Sequence, residues 1–316
     1  MTKAKATITT VTLNAAIDKT YYVPVFDKGK VSRAEKVLAT AGGKGLNVAR
    51  VLKQLGHEEV TATGFAGGYN GQFITSRVKE AGIRSEFVEI PGESRLCLNF
   101  IDGRDGSSTE VLEPGPVVGE AHVEAFKQRL RKLSEQSALV VFSGSLPGGA
   151  APELYAELIA LARAAGADVF LDSSGAALVR GVEAGPSFIK PNEDEIVSLL
   201  PEAGNGDVRE GIRRLMAQGI PVVAATLGAD GAIAGAGGRI YRVRIPRIEP
   251  VNTVGSGDSF VAGYAYGHVR GWPVEQCLRY AAAAGSANAL SETTGDVDPA
   301  LHRKLLDDIA VEAWPD

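Results

Sequence analysis

The chain has few cysteines and no long hydrophobic run. Cys97 and Cys277 are the only cysteines among 316 residues, so neither a disulfide framework nor a zinc-binding spacing is present. No apolar stretch approaches the length that spans a bilayer, and the start, MTKAKATITTVTLN, lacks the apolar core of a signal peptide. We therefore expect a cytoplasmic protein with no membrane partner.

Excess charge of either sign is also absent. The net charge is −5, from 33 basic and 38 acidic residues, and no basic block occurs. This balance argues against a nucleic-acid partner. It also means that an anionic ligand must be bound by a few placed cations and not by the overall field. The four histidines are scattered without a carboxylate at useful spacing, so we expect none to be catalytic.

Short β-rich apolar runs alternate with amphipathic helical stretches along most of the chain. This alternation predicts an α/β protein with a mainly parallel sheet and ligands at the carboxyl ends of the strands. The candidate buried strands are 8–13, 61–65, 138–142, 168–171, 188–190 and 221–226. The candidate helices are 46–55, 73–81, 152–165, 208–218, 274–290 and 299–311.

Two segments break this rhythm. Residues 21–38 and 95–112 lack a helical period and carry alternating patterns. They predict a small antiparallel sheet inserted into the α/β body as a lid, from about 18–38 and 95–113. With no repeat and no interdomain linker, we expect one domain over residues 1–316.

The most informative stretch is VNTVGSGDSF, residues 251–260. Gly255 and Gly257 let backbone N–H groups around Ser256 converge, and the start of a helix adds further unpaired N–H groups and a positive dipole end. Asp258 stands at the rim of this anion site. An anion hole beside a carboxylate suits phosphoryl transfer to a hydroxyl, although a helix-capping aspartate explains the local pattern equally well. Neither a Walker A loop nor a dinucleotide fingerprint is present.

Five further strand-end motifs each have a functional and an ordinary interpretation. AGGKGLN (41–47) is a second anion-friendly corner or a flexible turn, and Asp18 can bind sugar hydroxyls or belong to a turn. KPNEDE (190–195) has the spacing of a helix capping box, in which Asn192 and Glu195 could also hold magnesium-bound waters. SGSLPGG (143–149) and TLGADG (226–231) leave room for a ligand near the backbone, or are plain turns.

Together these motifs resemble the PfkB/ribokinase family of sugar kinases from end to end. TLNAAID, GGKGLNVARVL, ESR (93–95), TEVLEPGP (109–116), SGSLP, KPNEDE and VNTVGSGDS are similar to its phosphosugar branch, which contains tagatose-6-phosphate kinase and 1-phosphofructokinase. The resemblance implies a ribokinase-like α/β/α sandwich with a β lid. It also implies ATP, Mg²⁺ and a phosphorylated ketohexose as ligands, and a homodimer formed through the lid.

The resemblance also implies roles for individual residues. Asp258 would be the base, with Gly255, Ser256 and Gly257 forming the anion hole. The substrate-binding residues would be Asp18, Gly43 and Asn47 for the sugar hydroxyls, Ser143, and Lys44 and Arg95 for the phosphate at the end opposite Asp258. The nucleotide-binding residues would be Lys190, Asn192, Thr226, Gly228 and Gly231 along phosphates and ribose, with Ala284 and Asn288 bordering adenine. Asn192 and Glu195 would hold Mg²⁺ through water.

The implied reaction is ATP-dependent phosphorylation of tagatose 6-phosphate or fructose 1-phosphate to the 1,6-bisphosphate. A 6-phosphofructokinase of the same family stays open as an alternative. A catalytically silent sugar- or nucleotide-sensing protein is disfavoured because Asp258, Lys44 and Glu195 are intact. A kinase for nucleosides or unphosphorylated sugars is disfavoured because such substrates need no Lys44 and Arg95 pair.

Overall fold

A computed structural model describes residues 6–200 and 207–314, which form two β-sheets flanked by helices. The large sheet contains eleven strands. They are β1 (Thr7–Thr12), β4 (Val60–Gly67), β5 (Arg84–Ser85), β6 (Val88–Ile90), β9 (Ser137–Ser143), β10 (Asp168–Asp172), β11 (Phe188–Ile189), β12 (Val222–Thr226), β13 (Ala232–Ala236), β14 (Arg239–Arg244) and β15 (Ala310–Trp314). The small sheet contains β2 (Ala16–Val23), β3 (Lys36–Gly42), β7 (Arg95–Asp102) and β8 (Ser108–Leu112).

The large sheet is mainly parallel. Its order is β15-β14-β13-β12-β11-β10-β9-β1-β4-β5, with β6 paired to β4. All pairs from β12 to β5 are parallel, while β13, β14 and β15 add an antiparallel edge. The carboxyl ends of the six predicted strands therefore meet along one edge, where ligands of open α/β sheets bind.

Helices cover both faces of the large sheet. Along β9, Val140 and Phe142 pack into one buried cluster and Leu139 and Val141 into the other. The second cluster receives α1 (Lys44–Gln54), α2 (Gly68–Glu80), α8 (Ser256–His268), α9 (Val274–Ala289) and α10 (Pro299–Leu306). The first receives α3 (Glu120–Gln136), α4 (Leu154–Ala164), α5 (Gly175–Glu183), α6 (Glu193–Leu199) and α7 (Val208–Ala217). This three-layer arrangement confirms the predicted α/β class. Within the described residues, no helix has the length and apolarity needed to cross a bilayer.

The small sheet corrects one prediction. Its order is β3-β2-β7-β8, and the central pair β2–β7 is parallel, so the sheet is not purely antiparallel as predicted. The β2–β3 and β7–β8 pairs are antiparallel hairpins, whereas β2 and β7 are joined through α1, β4 and α2. A long crossover of this kind permits a parallel pair, which a pattern of alternating residues alone does not reveal.

The C-terminal region corrects another prediction. The expected helix over 299–311 ends at Leu306, and residues 310–314 instead form β15 against β14. Two acidic residues, Asp307 and Asp308, follow the helix, where the negative end of the helix dipole disfavours them. In β15, Val311 pairs with Val243 and Ala313 with Tyr241 at the sheet edge.

Candidate active site

Two cavities lie along the carboxyl edge of the large sheet. The polar cavity, about 340 Å³, is closed on one side by the small sheet and lined by Asp18, Lys44, Asn47, Arg95, Cys97, Asp172, Lys190 and Asp258, among others. The larger cavity, about 670 Å³, is lined by residues 228–231 and 245–248 and by one side of α9. Gly257 lines both cavities, so they meet at the start of α8.

The start of α8 has the geometry of an anion site. Gly255 is the N-cap residue with φ of 85°, a left-handed conformation that favours glycine. A Cβ there would lie 2.7 Å from the Gly295 nitrogen, so the approach of the 294–295 loop also requires glycine. The N–H groups of the first turn have no intrahelical partner and point out of the helix end. The N–H groups predicted to bind an anion thus lie at the junction of the two cavities.

Asp258 is buried in the first turn of α8 and faces the polar cavity. Asn47 of α1 donates a hydrogen bond from Nδ2 to Asp258 Oδ2 at 2.8 Å. Burial raises the pKa of Asp258 to about 6, while the ammonium group of Lys44 opposes this shift. A carboxyl with this pKa is largely ionised at neutral pH and is a stronger base than an exposed aspartate.

Arg50, which the sequence analysis did not single out, organises the surroundings of Asn47. Its Nη1 donates to Asn47 Oδ1 at 3.3 Å and to the Thr294 carbonyl at 2.8 Å, and its Nη2 donates to the Ala41 carbonyl. The bond to Oδ1 orients the Asn47 amide so that Nδ2 faces Asp258. Burial lowers the pKa of Arg50, although nearby Asp18 opposes the shift. A helical arginine three residues after Asn47 was the only available signal.

Asp172 is the second residue that the sequence analysis missed. It ends β10 and is fully buried, and its Oδ1 lies 3.3 Å from Lys44 Nζ and 3.4 Å from Lys190 Nζ. Burial pushes its pKa upward, but Lys190 and Lys44 outweigh burial and hold the pKa below the ordinary value. The signal was present, because Asp172 directly follows the predicted strand 168–171.

The position of Lys44 corrects the expectation that it lies with Arg95 at the end opposite Asp258. Lys44 is the first residue of α1, and its ammonium group lies beside Asp172 and within the field of Asp258. Asp172 raises the pKa of Lys44 above its ordinary value, so Lys44 is charged. Helix α1 begins at Lys44, two residues before the predicted start at 46, so Lys44 lies in its first turn at the sheet edge and not in a solvated loop.

Asp18 and Arg95 lie on the small sheet, on adjacent strands β2 and β7. Burial raises the pKa of Asp18, and Arg50 and Arg95 oppose the shift. Gly42 makes room for this carboxylate, because a Cβ there would lie 2.1 Å from Asp18 Cγ. Arg95 Nε donates to the Asn14 carbonyl at 3.1 Å and its Nη1 to the Glu113 carbonyl at 3.3 Å. Arg95 is thus held by the backbone while it lines the polar cavity.

The larger cavity brings together the predicted residues Thr226, Gly228 and Gly231, while Lys190 lines the polar cavity. Ala284 and Asn288 do not line it, which corrects their placement beside adenine. Both are fully buried, because they point away from the cavity on α9, and Ala282, Gly285, Ser286 and Ala289 face it instead. Asn288 Nδ2 donates to the Val254 carbonyl at 2.9 Å, so Asn288 supports the anion hole.

Three other predicted positions lie outside both linings. Asn192 and Glu195 form the capping box of α6: Asn192 Oδ1 accepts from the Glu195 N–H at 2.8 Å, and Glu195 Oε2 accepts from the Asn192 N–H at 2.9 Å. Glu195 still acts on Lys44 through its charge. Ser143 ends β9 fully buried beside Asp172 and lines neither cavity.

The histidines contribute to neither cavity lining. His57 and His302 are buried, and each contacts a backbone carbonyl, of Ala6 and Tyr280 respectively. His268 lies 2.8 Å from Asp168 at the opposite end of β10 from Asp172, a carboxylate partner one hundred residues away that spacing did not reveal. The titratable side chains that line the polar cavity are therefore aspartates, a glutamate, lysines, an arginine and a cysteine.

Comparison with known proteins gives consistent relatives. The model of the pfkB family of carbohydrate kinases matches residues 11–301. Tagatose-6-phosphate kinase from Staphylococcus epidermidis is 39% identical over 298 residues, which is 92% of this chain and 94% of that protein. Phosphofructokinase-2 from Escherichia coli, solved with substrates and products, has a TM-score of 0.90 at 28% identity, with 95% of this chain and 98% of that chain covered. Its tetrameric inhibited form has a TM-score of 0.89 at 27% identity, with 96% and 98% covered. The chain therefore belongs to the pfkB family of carbohydrate kinases.

Proposed function

We propose that this kinase transfers the γ-phosphoryl group of ATP to a ketohexose monophosphate and makes the 1,6-bisphosphate. The observation that carries the proposal is the meeting of the two cavities at Gly257, beside the buried carboxylate of Asp258. The polar cavity has the charges that a phosphosugar needs, and the larger cavity has the size and apolar lining of a nucleotide site. The names of the relatives, a tagatose-6-phosphate kinase and a phosphofructokinase, support the same acceptor class.

In this mechanism Asp258 accepts the proton of the attacking hydroxyl. Asn47 occupies Oδ2, so we assign the proton to Oδ1. Because its pKa is about 6, the carboxylate is mostly unprotonated at pH 7 and still binds a proton well enough to assist transfer. The hydroxyl oxygen forms the new bond to phosphorus as the bond to the leaving ADP oxygen breaks. N–H groups of residues 255–257 stabilise the charge on the moving group.

The larger cavity takes the nucleotide. Thr226 ends β12, Gly228 and Gly231 follow it, and all three border the ribose and phosphates. Mg²⁺, when bound with ATP, neutralises phosphate charge. Asn192 and Glu195 fit a role through ordered water. The single side-chain oxygen of Asn192 accepts one N–H in the capping box and keeps a second lone pair, and Glu195 uses Oε2 there and adds negative charge near Lys44.

The polar cavity takes the phosphosugar. Asp18 accepts hydrogen bonds from sugar hydroxyls, with Asn47 and Gly43 beside it. Arg95 binds the phosphate already present, because its side chain is fixed by two backbone carbonyls and a guanidinium matches phosphate oxygens bidentately. Lys44 lies nearer Asp172 and Asp258, so it acts on the transferred group as well as on the acceptor.

The acceptor that we place first is tagatose 6-phosphate, phosphorylated at O1. The test is coupled ADP release with tagatose 6-phosphate, fructose 6-phosphate, fructose 1-phosphate and the free sugars, each with ATP. We expect the highest kcat/KM with a phosphosugar and at least about a hundredfold less with its free sugar. A free sugar leaves the cationic groups unpaired, which costs several kcal/mol of binding free energy. A free sugar as the best acceptor would contradict the proposal, and a lack of ADP release with all acceptors would favour the silent sensing protein.

We also propose that the chain dimerises through the outer face of the small sheet. Tyr21 pairs with both Val37 and Phe100, and Val111 lies on the same face. The rings of Tyr21, Phe100 and Phe26 stack there, and Val37 and Val111 are half-exposed. An apolar sheet face of this kind is a common interface. Sedimentation equilibrium should give twice the chain mass, and Val37→Asp together with Val111→Asp should give the monomer.

A further inference from the structure

Asp172 is a buried carboxylate that the proposed mechanism leaves without a role. It ends β10 between β9 and β11, where the chain passes from the sheet core to the cavity edge. Its Oδ1 is the meeting point of two ammonium groups from different elements, Lys44 at the start of α1 and Lys190 after β11. Its Oδ2 is buried without a hydrogen-bond partner among the described residues.

Stability alone does not account for this cluster. Desolvating Asp172 and Lys190 costs several kcal/mol per ion, and replacing buried ion pairs by apolar groups is often neutral or stabilising. An aspartate with one oxygen unsatisfied is a poor choice for a purely structural position. The cluster is therefore better explained by where it places the two ammonium groups.

Both lysines are placed toward the point where the phosphoryl group must pass. A Cβ on Gly257 would lie 3.3 Å from Lys190 Nζ, so the ammonium group is next to the residue shared by the two cavities. Lys190 is almost fully buried, whereas Lys44 is partly exposed to the polar cavity. The Asp172 carboxylate thus joins one cation at the cavity junction to one cation on the acceptor side.

We propose that Asp172 is a positioning residue that holds Lys44 and Lys190 on either side of the junction at Gly257, so that both ammonium groups flank the phosphoryl group during transfer. The inference rests on the proposed function, since it assigns a role within that reaction. Preorganised cations act on the charge of the transition state without having to reorganise, which lowers the barrier more than mobile cations do.

Asp172 also acts on the base through its charge. The groups that face Asp258 are Lys44 and Asn47 from α1, Lys190 after β11, and Asp172 from β10; Glu195 of α6 acts on Lys44, and Arg50 is within reach of the charge of Asp258. Asp172 raises the pKa of Asp258, while Lys44 and Lys190 lower it. The two kinds of substitution must therefore shift the pH dependence of the base in opposite directions.

The first experiment is the pH profile of kcat/KM for Asp172→Asn, with Asp168→Asn as a matched control. Asp168 begins the same strand, is exposed and pairs with His268 outside the site. We expect Asp172→Asn to lose about tenfold or more in kcat. Its acid limb should move down by about half a pH unit or more, since a nearby negative charge is removed. Asp168→Asn should match the wild type. Substrate phosphates ionise identically in all three proteins, so differences between them report the enzyme.

The second variant, Lys190→Met, keeps the inference testable if Asp172→Asn does not fold. Removing a cation beside Asp258 should move the acid limb upward, opposite to Asp172→Asn, with a comparable loss of kcat. In the double variant the losses should be less than additive, because both substitutions break one unit. Unshifted acid limbs, or kcat within about threefold of wild type in both variants, would overturn the role of Asp172. Inactivity of the wild type towards every phosphosugar would instead contradict the proposed function.

Discussion

The polar cavity and the larger cavity share Gly257 but are built in different ways. Charged side chains from the small sheet, α1, β10 and α8 line the polar cavity. The larger cavity is lined mainly by glycines and small or apolar side chains, and among its described lining residues only Asp230 and Arg247 are charged, both of them exposed. Under the proposed function, we infer that the phosphosugar is recognised through desolvated charges and the nucleotide through shape and backbone groups.

The two cavities also differ in how much folding free energy their buried charges cost. Burial raises the pKa of Asp18 and Asp258 and lowers that of Arg50, so charges in and around the polar cavity are held against their preference for water. Such a site is expensive in folding free energy and selective in binding. The larger cavity contains no comparable buried charge among its described lining residues, so it should tolerate substitution better.

The largest expected effect comes from comparing the two cavity aspartates. Asp258→Asn should reduce kcat by about a hundredfold or more, because a positioned base contributes at least that much. Nucleotide affinity should change little, since the larger cavity is unaltered. Asp230→Asn should keep kcat within about threefold of wild type. Steady-state kinetics, with ATP binding followed by calorimetry, makes the measurement.

Retained activity of Asp258→Asn would contradict this prediction. If Asp258→Asn keeps more than about a tenth of the wild-type kcat, Asp258 is not the base. If Asp230→Asn loses as much as Asp258→Asn, charge matters equally in both cavities and the distinction between them fails.

A smaller effect should separate the two cavity arginines. Arg95→Ala should raise the KM of the phosphosugar by about ten- to a hundredfold, the worth of hydrogen bonds to a charged group, with the KM of ATP unchanged. Arg247→Ala removes an exposed guanidinium from the larger cavity and should leave the KM of the phosphosugar unchanged. Equal changes in both KM values for Arg95→Ala would place Arg95 elsewhere.

Much of the fold and of the polar cavity could be predicted because strand-end motifs carry local signals. The strand–helix alternation predicted the parallel sheet, and the GSGD pattern at 255–258 predicted the glycine-capped helix start that the structure has at α8. Hairpin β13–β14 was missed although Gly237 and Gly238, both with positive φ, form its turn. That signal was readable from GAGGRIY.

Other features depend on packing that no local pattern contains. In the sequence, Arg50 has the pattern of an ordinary helix residue. Its role depends on the 294–295 loop, some 244 positions away, whose carbonyl accepts its hydrogen bond. Ser286 faces the larger cavity, whereas Asn288, two residues later, lies on another side of α9 and contacts the Val254 carbonyl. The packing of α9 against α8 determines which side of α9 faces the cavity. Helical period gives the two sides but not which of them faces a ligand.

The smallest effect is on stability, and it tests the energetic half of the comparison. Asp258 has a pKa of about 6 when folded and an ordinary value of 3.8. The folded state therefore holds a proton on Asp258 that the unfolded state has lost between these pH values, so the contribution of Asp258 to stability falls as pH rises through this window and levels off above pH 6. Asp258→Asn lacks this loss and should gain about 1–3 kcal/mol relative to wild type between pH 4 and pH 7, a few degrees in Tm. Urea unfolding at several pH values measures it, with Asp230→Asn as the control that should track the wild type. A relative stability of Asp258→Asn that does not change with pH would mean that the polar cavity does not hold its base against solvation, and the energetic contrast with the larger cavity would disappear.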